Sequence, residues 1–321
     1  MMATEIAVIG VGRWGRHLAK NLRELGVLGA IVETEAERCA AWSQSCPELR
    51  CFNDPQQILD APIPAVAIAT PSASHFDIAR LCLQAGKDVF VEKPMTLSEP
   101  QARELVRLAR DRERILMVGH LLLYQPALHE LLRLTRSGII GQVLSTHHER
   151  LEPPRERTPE DALWALGVHD VAVALFLSNA VLLEQRAFGM LGPSGVQEDS
   201  QLHLRFANGM RAHLHVSLRW PERRRRCIIL GERGSLVYDE LTQTVTLDRR
   251  DFHSSPEAPE GELLFRGNAQ PVRLEMMHFL ERLRDRERPL SDGVNGLDVV
   301  AIVERACAQI AAEPANARNS A

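Results

Sequence analysis

The chain has 321 residues, which at roughly 150 residues per domain points to two domains. Lys plus Arg number 38 and Asp plus Glu 42, a formal charge of −4. No basic excess exists to neutralise phosphates, so no nucleic-acid partner is expected. The 45% apolar and 25% charged composition excludes a disordered, collagen-like or coiled-coil chain.

The first 120 residues alternate short apolar strands with helical stretches. Residues 5–10 form a strand that ends in a glycine turn, and residues 16–25 a helix stopped by Gly26. Strand 30–33, helix 35–45 and the wholly apolar strand 65–69 follow. Then come helix 75–85, strand 89–92, helix 98–112 with Ser98 as its cap, and strand 115–119. Apolar strands of this kind are buried on both faces. Their alternation with helices predicts right-handed βαβ units and a doubly wound, Rossmann-type parallel sheet over residues 1–120.

The pattern then changes. Helix 127–137, strand 142–150, a charged proline-bearing loop at 152–161 and helix 162–177 precede a run of strands from 182 to 248. Asn208-Gly209 between strands 201–207 and 210–217 signals a two-residue hairpin. In that register His213 and His215 face Leu204 and Leu202, and they make no metal site. Residues 251–271 read as loop, 276–285 and 296–310 as helices, and 313–321 as a disordered tail. Residues 121–312 are therefore expected to form an α+β domain with a large open, mostly antiparallel sheet for substrate binding and oligomerisation. No apolar run approaches the ~18–20 residues of a membrane span, and residues 1–12 lack the basic start of a signal peptide. Cys39, Cys46, Cys51, Cys82, Cys227 and Cys307 include no C-x-x-C pair. A cytoplasmic protein with reduced thiols and no metal is expected.

Gly10-Val11-Gly12-Arg13-Trp14-Gly15 matches G-x-G-x-x-G in the first βα turn, where the motif has a mechanism. Gly10 allows the tight turn, Gly12 lets backbone approach a pyrophosphate, and Gly15 lets helix and strand pack. The helix N-terminus then offers N–H groups and a positive dipole end to the phosphates. Glu33, at the end of the second strand, suits the adenosine ribose hydroxyls and repels a 2′-phosphate, favouring NAD over NADP. Thr70-Pro71 and Glu92-Lys93-Pro94 follow strands at the edge where open α/β sheets bind ligands. Lys93 there can donate to a carbonyl oxygen and shuttle a proton. His169, in an apolar helix, has the side chain most used for acid–base work near neutral pH. Asp170 beside it does not share its face and reads as a cap or surface partner.

Gly10–Gly15, Thr70-Pro71 with His75, and Glu92-Lys93-Pro94, in this order and spacing, resemble the Gfo/Idh/MocA oxidoreductases. Gly119-His120 with Tyr124 and Pro126, the strand at 142–150, the His169 helix and the segment 291–297 continue the resemblance to about residue 312. It implies an NAD(P)-dependent enzyme acting on a sugar, nucleotide sugar or inositol, Lys93 and His169 as the catalytic pair, and a homo-oligomer (dimer or tetramer) through the open sheet. Which of the two moves the proton stays open; His169 as base with Lys93 polarising the substrate oxygen is the working assignment. Many members carry an aspartate four residues before the histidine, where this chain has Ala165. The stretch 157–170 is similar to the nucleotide-sugar members that act on UDP-N-acetylglucosaminuronate-type substrates at carbon 3.

For substrate contacts, Arg150, Arg155 and Arg157 precede the histidine helix. Arg157 is preferred as the guanidinium for a carboxylate or diphosphate. Tyr124 and Trp164 are expected to line the pocket. The run Arg223–Arg226 reads as solvated or as an oligomer rim. Two other readings stay open: a non-catalytic NAD-binding regulatory protein, which Ala165 favours, and a reductase of a non-sugar imine or dihydrodiol.

Overall fold

Residues 5–154, 160–192, 195–249, 261–268 and 270–312 are described by the computed structural model. In chain order, β1 (Ile6–Ile9), α1 (Gly15–Glu24), β2 (Leu28–Val32), α2 (Ala36–Ser45), β3 (Arg50–Phe52), α3 (Gln56–Leu59), β4 (Ala65–Ile68), α4 (His75–Gln84), β5 (Asp88–Val91), α5 (Glu99–Asp111) and β6 (Leu116–Val118) come first. They are followed by α6 (Pro126–Arg136), β7 (Val143–Leu151), α7 (Val168–Ser178), β8 (Leu182–Leu191), β9 (Gln197–Phe206), β10 (Arg211–Ser217), β11 (Arg224–Gly231), β12 (Gly234–Asp239), β13 (Thr244–Asp248), β14 (Glu262–Arg266), α8 (Pro271–Asp285) and α9 (Gly293–Ala312). No helix among the described residues is long and apolar enough to cross a membrane.

The chain divides into two units, Met1–Tyr124 with Gln270–Ala301, and Gln125–Ala269 with Ile302–Ala321. Residues 270–301 thus belong with the first unit, which a single cut after residue 120 does not provide for. The reason is packing: Phe279 of α8 meets Phe90 of β5 with ring centroids 5.8 Å apart, and Arg286 holds Asp88 through two bonds of 2.6 and 2.8 Å.

The first unit holds a six-stranded parallel sheet in the order β3-β2-β1-β4-β5-β6, the doubly wound arrangement. Every residue of β1, β4 and β5 is buried, as expected where helices cover both faces. Strand β3 has no counterpart in the sequence reading. It is a three-residue edge strand with a mixed burial pattern and little periodicity to detect.

The second unit holds an eight-stranded sheet, β14-β13-β12-β11-β7-β10-β9-β8, in which only the β7–β10 pair is parallel. Thr146, His148 and Arg150 of β7 point to its buried face, on which α6 and α7 pack. Two expectations are corrected here. Residues 262–266, read as loop, are the edge strand β14. The β9–β10 hairpin is offset by one residue, because Phe206 pairs with Met210 and Gly209 adopts φ +87° in a three-residue loop. His213 therefore faces His203, with Nδ1 atoms 2.6 Å apart, and His215 faces Gln201 instead of Leu202.

Candidate active site

The glycine turn after β1 is built around absent side chains. A Cβ on Gly15 would stand 1.9 Å from the Gly10 carbonyl oxygen, so no other residue fits there without moving the loop. Gly10 has φ +84°, in the region glycine favours, and packs on Thr70. A Cβ on Gly12 would meet only the Arg38 guanidinium at 3.7 Å, so the turn leaves open space where a phosphate has to approach. Helix α1 starts with no side-chain cap and no acidic residue in its first turn. No acid therefore opposes an anion at its positive dipole end, although the N–H groups of Arg16 and His17 already bond the Gly12 and Trp14 carbonyls at 3.2 and 2.8 Å. Arg13 is exposed beside this turn.

Glu33 follows β2 and is 6% exposed. Its carboxylate accepts the backbone N–H of Val11 and of Glu35, each at 3.0 Å, and Arg38 lies 3.7 Å away. This ties the acid to the glycine turn and leaves further lone pairs on each oxygen. The open glycine cradle, the helix start without an acidic residue and the placed carboxylate fit a dinucleotide.

Thr70, His75, Glu92 and Lys93 gather at the same edge of the sheet. His75 is buried, with Nε2 2.8 Å from the Thr70 carbonyl and Nδ1 2.8 Å from the Pro94 carbonyl. Carbonyls only accept, so both bonds form together when both ring nitrogens carry protons. His75 thereby clamps the loop after β4 to the loop after β5. His75 stands at the expected sheet edge, and Pro71 is exposed there.

The peptide between Lys93 and Pro94 is cis, and Lys93 is half-buried. Glu92 is 7% exposed. It accepts the Trp14 indole N–H on one oxygen and the Lys93 backbone N–H, at 3.2 Å, on the other. Burial raises its carboxyl to about 7, although the bonds from Trp14 and the charge of Lys93 oppose the shift. Glu92 and Trp14 were both expected to touch cofactor. They bond to each other, and the Trp14 ring stays 40% exposed.

Two polar groups here escape sequence reasoning. His120 is 2% exposed, and neither ring nitrogen has a hydrogen-bond partner. Burial, then the Lys93 charge, pull it down to about 3, so it is a neutral imidazole. Glu275 of α8 is 1% exposed with neither oxygen bonded, and burial, then Glu92, raise its carboxyl well above the usual range. A Cβ on Gly119 would lie 2.9 Å from Glu92, so that glycine reserves the space for the carboxylate. His120 adjoins a motif glycine, a usable signal. Glu275 lies 183 positions beyond Glu92 and had none.

In the second unit, His169 is the second residue of α7 and half-buried. One π-helical turn, Leu163–Gly167, leads into it, with the Val168 N–H bonded to the Leu163 carbonyl five residues back. Such turns recur at functional sites. They make Trp164, half-buried, the residue one turn before His169, in place of Ala165. Asp170 is not a surface partner: it is 4% exposed and accepts Arg150 at 2.6 Å. Arg150, 3% exposed, also bonds Glu240 at 2.6 Å. Arg225 joins Glu240 at 2.9 Å to Glu152 at 2.6 Å.

Arg150 is thus consumed inside the unit and is no ligand contact. The arginine run is likewise paired, Arg223 with Glu152 at 3.1 Å and Arg226 with Asp239 at 3.2 Å. Its carboxylate partners sit on adjoining strands and segments, invisible in a linear run. Tyr124, in the first unit, is a core residue: 6% exposed, its hydroxyl 2.7 Å from Ser291 Oγ. Arg155 and Arg157 lie outside the described residues.

Residues 4–120 match the oxidoreductase family with an NAD-binding Rossmann fold named for Gfo, Idh and MocA, and residues 128–237 match the C-terminal domain of that family. UDP-N-acetylglucosamine 3-dehydrogenase of Acidithiobacillus ferrooxidans is 30% identical, over 94% of this chain and 95% of the relative. The chain belongs to the Gfo/Idh/MocA family. The scyllo-inositol 2-dehydrogenase (NAD(+)) of Bacillus subtilis is 26% identical over 88% of this chain and 87% of that protein. A solved structure of the Acidithiobacillus enzyme superposes with a TM-score of 0.86 at 27% identity, covering 97% of this chain and 98% of that one. The first unit is accordingly a Gfo/Idh/MocA NAD-binding Rossmann domain, and the protein an oxidoreductase whose cofactor is NAD.

Proposed function

We propose that the protein uses NAD to oxidise the carbon-3 hydroxyl of a UDP-N-acetylhexosamine. The observation that carries this reading is the 30% identity, spanning nearly the whole of both chains, to an enzyme named for that reaction. The uronate form of the sugar is the finer alternative within the same class. When bound, NAD supplies the hydride acceptor at its nicotinamide ring.

The glycine turn and the start of α1 hold the pyrophosphate, and Glu33 accepts the adenosine ribose hydroxyls. Lys93 donates a hydrogen bond to the reacting oxygen and stabilises the negative charge that grows there as hydride leaves. His169 takes the hydroxyl proton, and Trp164 lines the sugar. Arg157 is retained as the diphosphate contact.

The test offers purified protein NAD with UDP-N-acetylglucosamine, its uronate, inositols and free sugars, and reads NADH by near-ultraviolet absorbance. NADH is expected from a nucleotide sugar, and at least about a hundredfold more slowly in Lys93→Met. NADH only from an inositol or a free sugar overturns the substrate. None from any compound favours the non-catalytic reading that Ala165 suggests.

The outer face of the eight-stranded sheet is proposed to join copies of this chain, because Phe188, Met190 and Leu230 stand exposed on it. Light scattering on the purified protein reads the number of subunits, and a monomer overturns this. Six free cysteines support a cytoplasmic site of action.

A further inference from the structure

Helix α2 and strand β3 bring two thiols together at the edge of the parallel sheet. The Cys51 sulfur lies 3.9 Å from the Cys39 carbonyl oxygen and accepts the Ser43 hydroxyl at 3.1 Å. The Cys51 side chain thus stands beside the backbone of Cys39, and after burial it is the next influence that raises the Cys39 thiol. Both residues are half-buried, as is Cys307 in α9, whereas Cys46, Cys82 and Cys227 are buried.

The chain neighbours of these two cysteines are the supports of Glu33. Arg38, before Cys39, lies 3.7 Å from the Glu33 carboxylate. Phe52, after Cys51, accepts the Glu33 backbone N–H at 3.0 Å. The thiol pair therefore flanks a carboxylate that accepts a backbone N–H of the glycine turn.

We propose that Cys39 and Cys51 are a modification site, a reversible disulfide whose closure weakens NAD binding at the Glu33 end. This rests on Glu33 being the ribose acceptor. A sulfur–sulfur bond is about 2.0 Å long, so closure draws the first turn of α2 towards β3 and shifts Arg38 and Phe52 with it. The oxidant is a low-molecular-weight disulfide such as oxidised glutathione. One protein thiolate attacks it, forms a mixed disulfide and expels one small thiolate; the second protein thiolate then displaces the other. Two protein thiols are oxidised to one disulfide, one small disulfide is reduced to two small thiols, and these carry off the two protons. Burial, then Cys51 and Glu33, raise the Cys39 thiol above its ordinary range, so closure quickens as pH rises.

The test incubates the whole protein with oxidised glutathione, alkylates it and digests it without reduction. Mass spectrometry is expected to find a Cys39–Cys51 cross-link, with titratable thiols falling by two from the original six. Calorimetry is expected to show NAD affinity about three- to tenfold weaker, restored by dithiothreitol. Cys39→Ser and Cys51→Ser should bind NAD normally and ignore the oxidant. No cross-link, a cross-link between other cysteines, or a cross-link with unchanged NAD affinity overturns the proposal. Glu33→Ala in the reduced protein separates the premise: unchanged NAD affinity there removes the ribose role of Glu33, whatever the thiols do.

Discussion

Replacing Arg150 with Met removes a cation that is 3% exposed and that bonds both Asp170 and Glu240 at 2.6 Å. Glu240 keeps Arg225 at 2.9 Å. Asp170 keeps the more distant Arg225 charge and the His148 imidazole, 3.9 Å away, which burial and then Arg150 pull down to about 3. Stranding a buried charge in this way costs about 3–5 kcal/mol. At about 2–4 °C per kcal/mol, the melting temperature should fall by about 6–20 °C. The loss should depend on pH. Burial already raises the Asp170 carboxyl despite Arg150, and without Arg150 it rises further. A carboxyl raised on folding is tolerated protonated, so stability is lost as pH rises through its folded value. The difference from the parent should be larger at about pH 8 than at about pH 5. Arg150→Met with Asp170→Leu should recover part of the loss, since an apolar pair leaves no charge stranded. Thermal melts followed by circular dichroism read all of this. A penalty under about 1 kcal/mol, the value of an exposed pair, or one independent of pH would refute the reasoning.

Gly15→Ala places a Cβ 1.9 Å from the Gly10 oxygen, and calorimetry should find NAD affinity reduced at least about tenfold. Lys93→Met should lower kcat about a hundred- to a thousandfold with NAD affinity little changed; equal losses in both would make Lys93 a binding residue only. Tryptophan fluorescence should titrate near pH 7 as Glu92 ionises beside the Trp14 indole, and Glu92→Gln should abolish that step. Glu33→Ala should reduce the preference for NAD over NADP at least about tenfold, read as the ratio of the two affinities; an unchanged ratio would place discrimination elsewhere.

What was legible in the sequence follows from locality. Strands β1 and β4 are four-residue apolar runs and β5 adds three apolar residues after Asp88, so their alternation with helices stands out. The glycine turn, Glu33 and Lys93 sit at fixed offsets from those strands, which placed them at the sheet edge correctly. Interactions between distant residues were not legible. Asp170 finds Arg150 20 positions back, and Arg150 finds Glu240 90 positions on, so a buried cluster looked like loop and surface charge. The hairpin failed for a local reason: Asn208-Gly209 fits a two-residue turn and also the three-residue loop that forms. One residue of offset moved His213 from Leu204 to His203.

The central claim is that this chain passes the carbon-3 hydride of a UDP-N-acetylhexosamine to NAD. It is tested most directly with UDP-N-acetylglucosamine deuterated at carbon 3 and mass spectrometry of the reduced cofactor. The account predicts NADH carrying the deuterium, formed at least about a hundredfold more slowly by Lys93→Met. Unlabelled NADH, or labelled NADH at the parent rate from Lys93→Met, would contradict it.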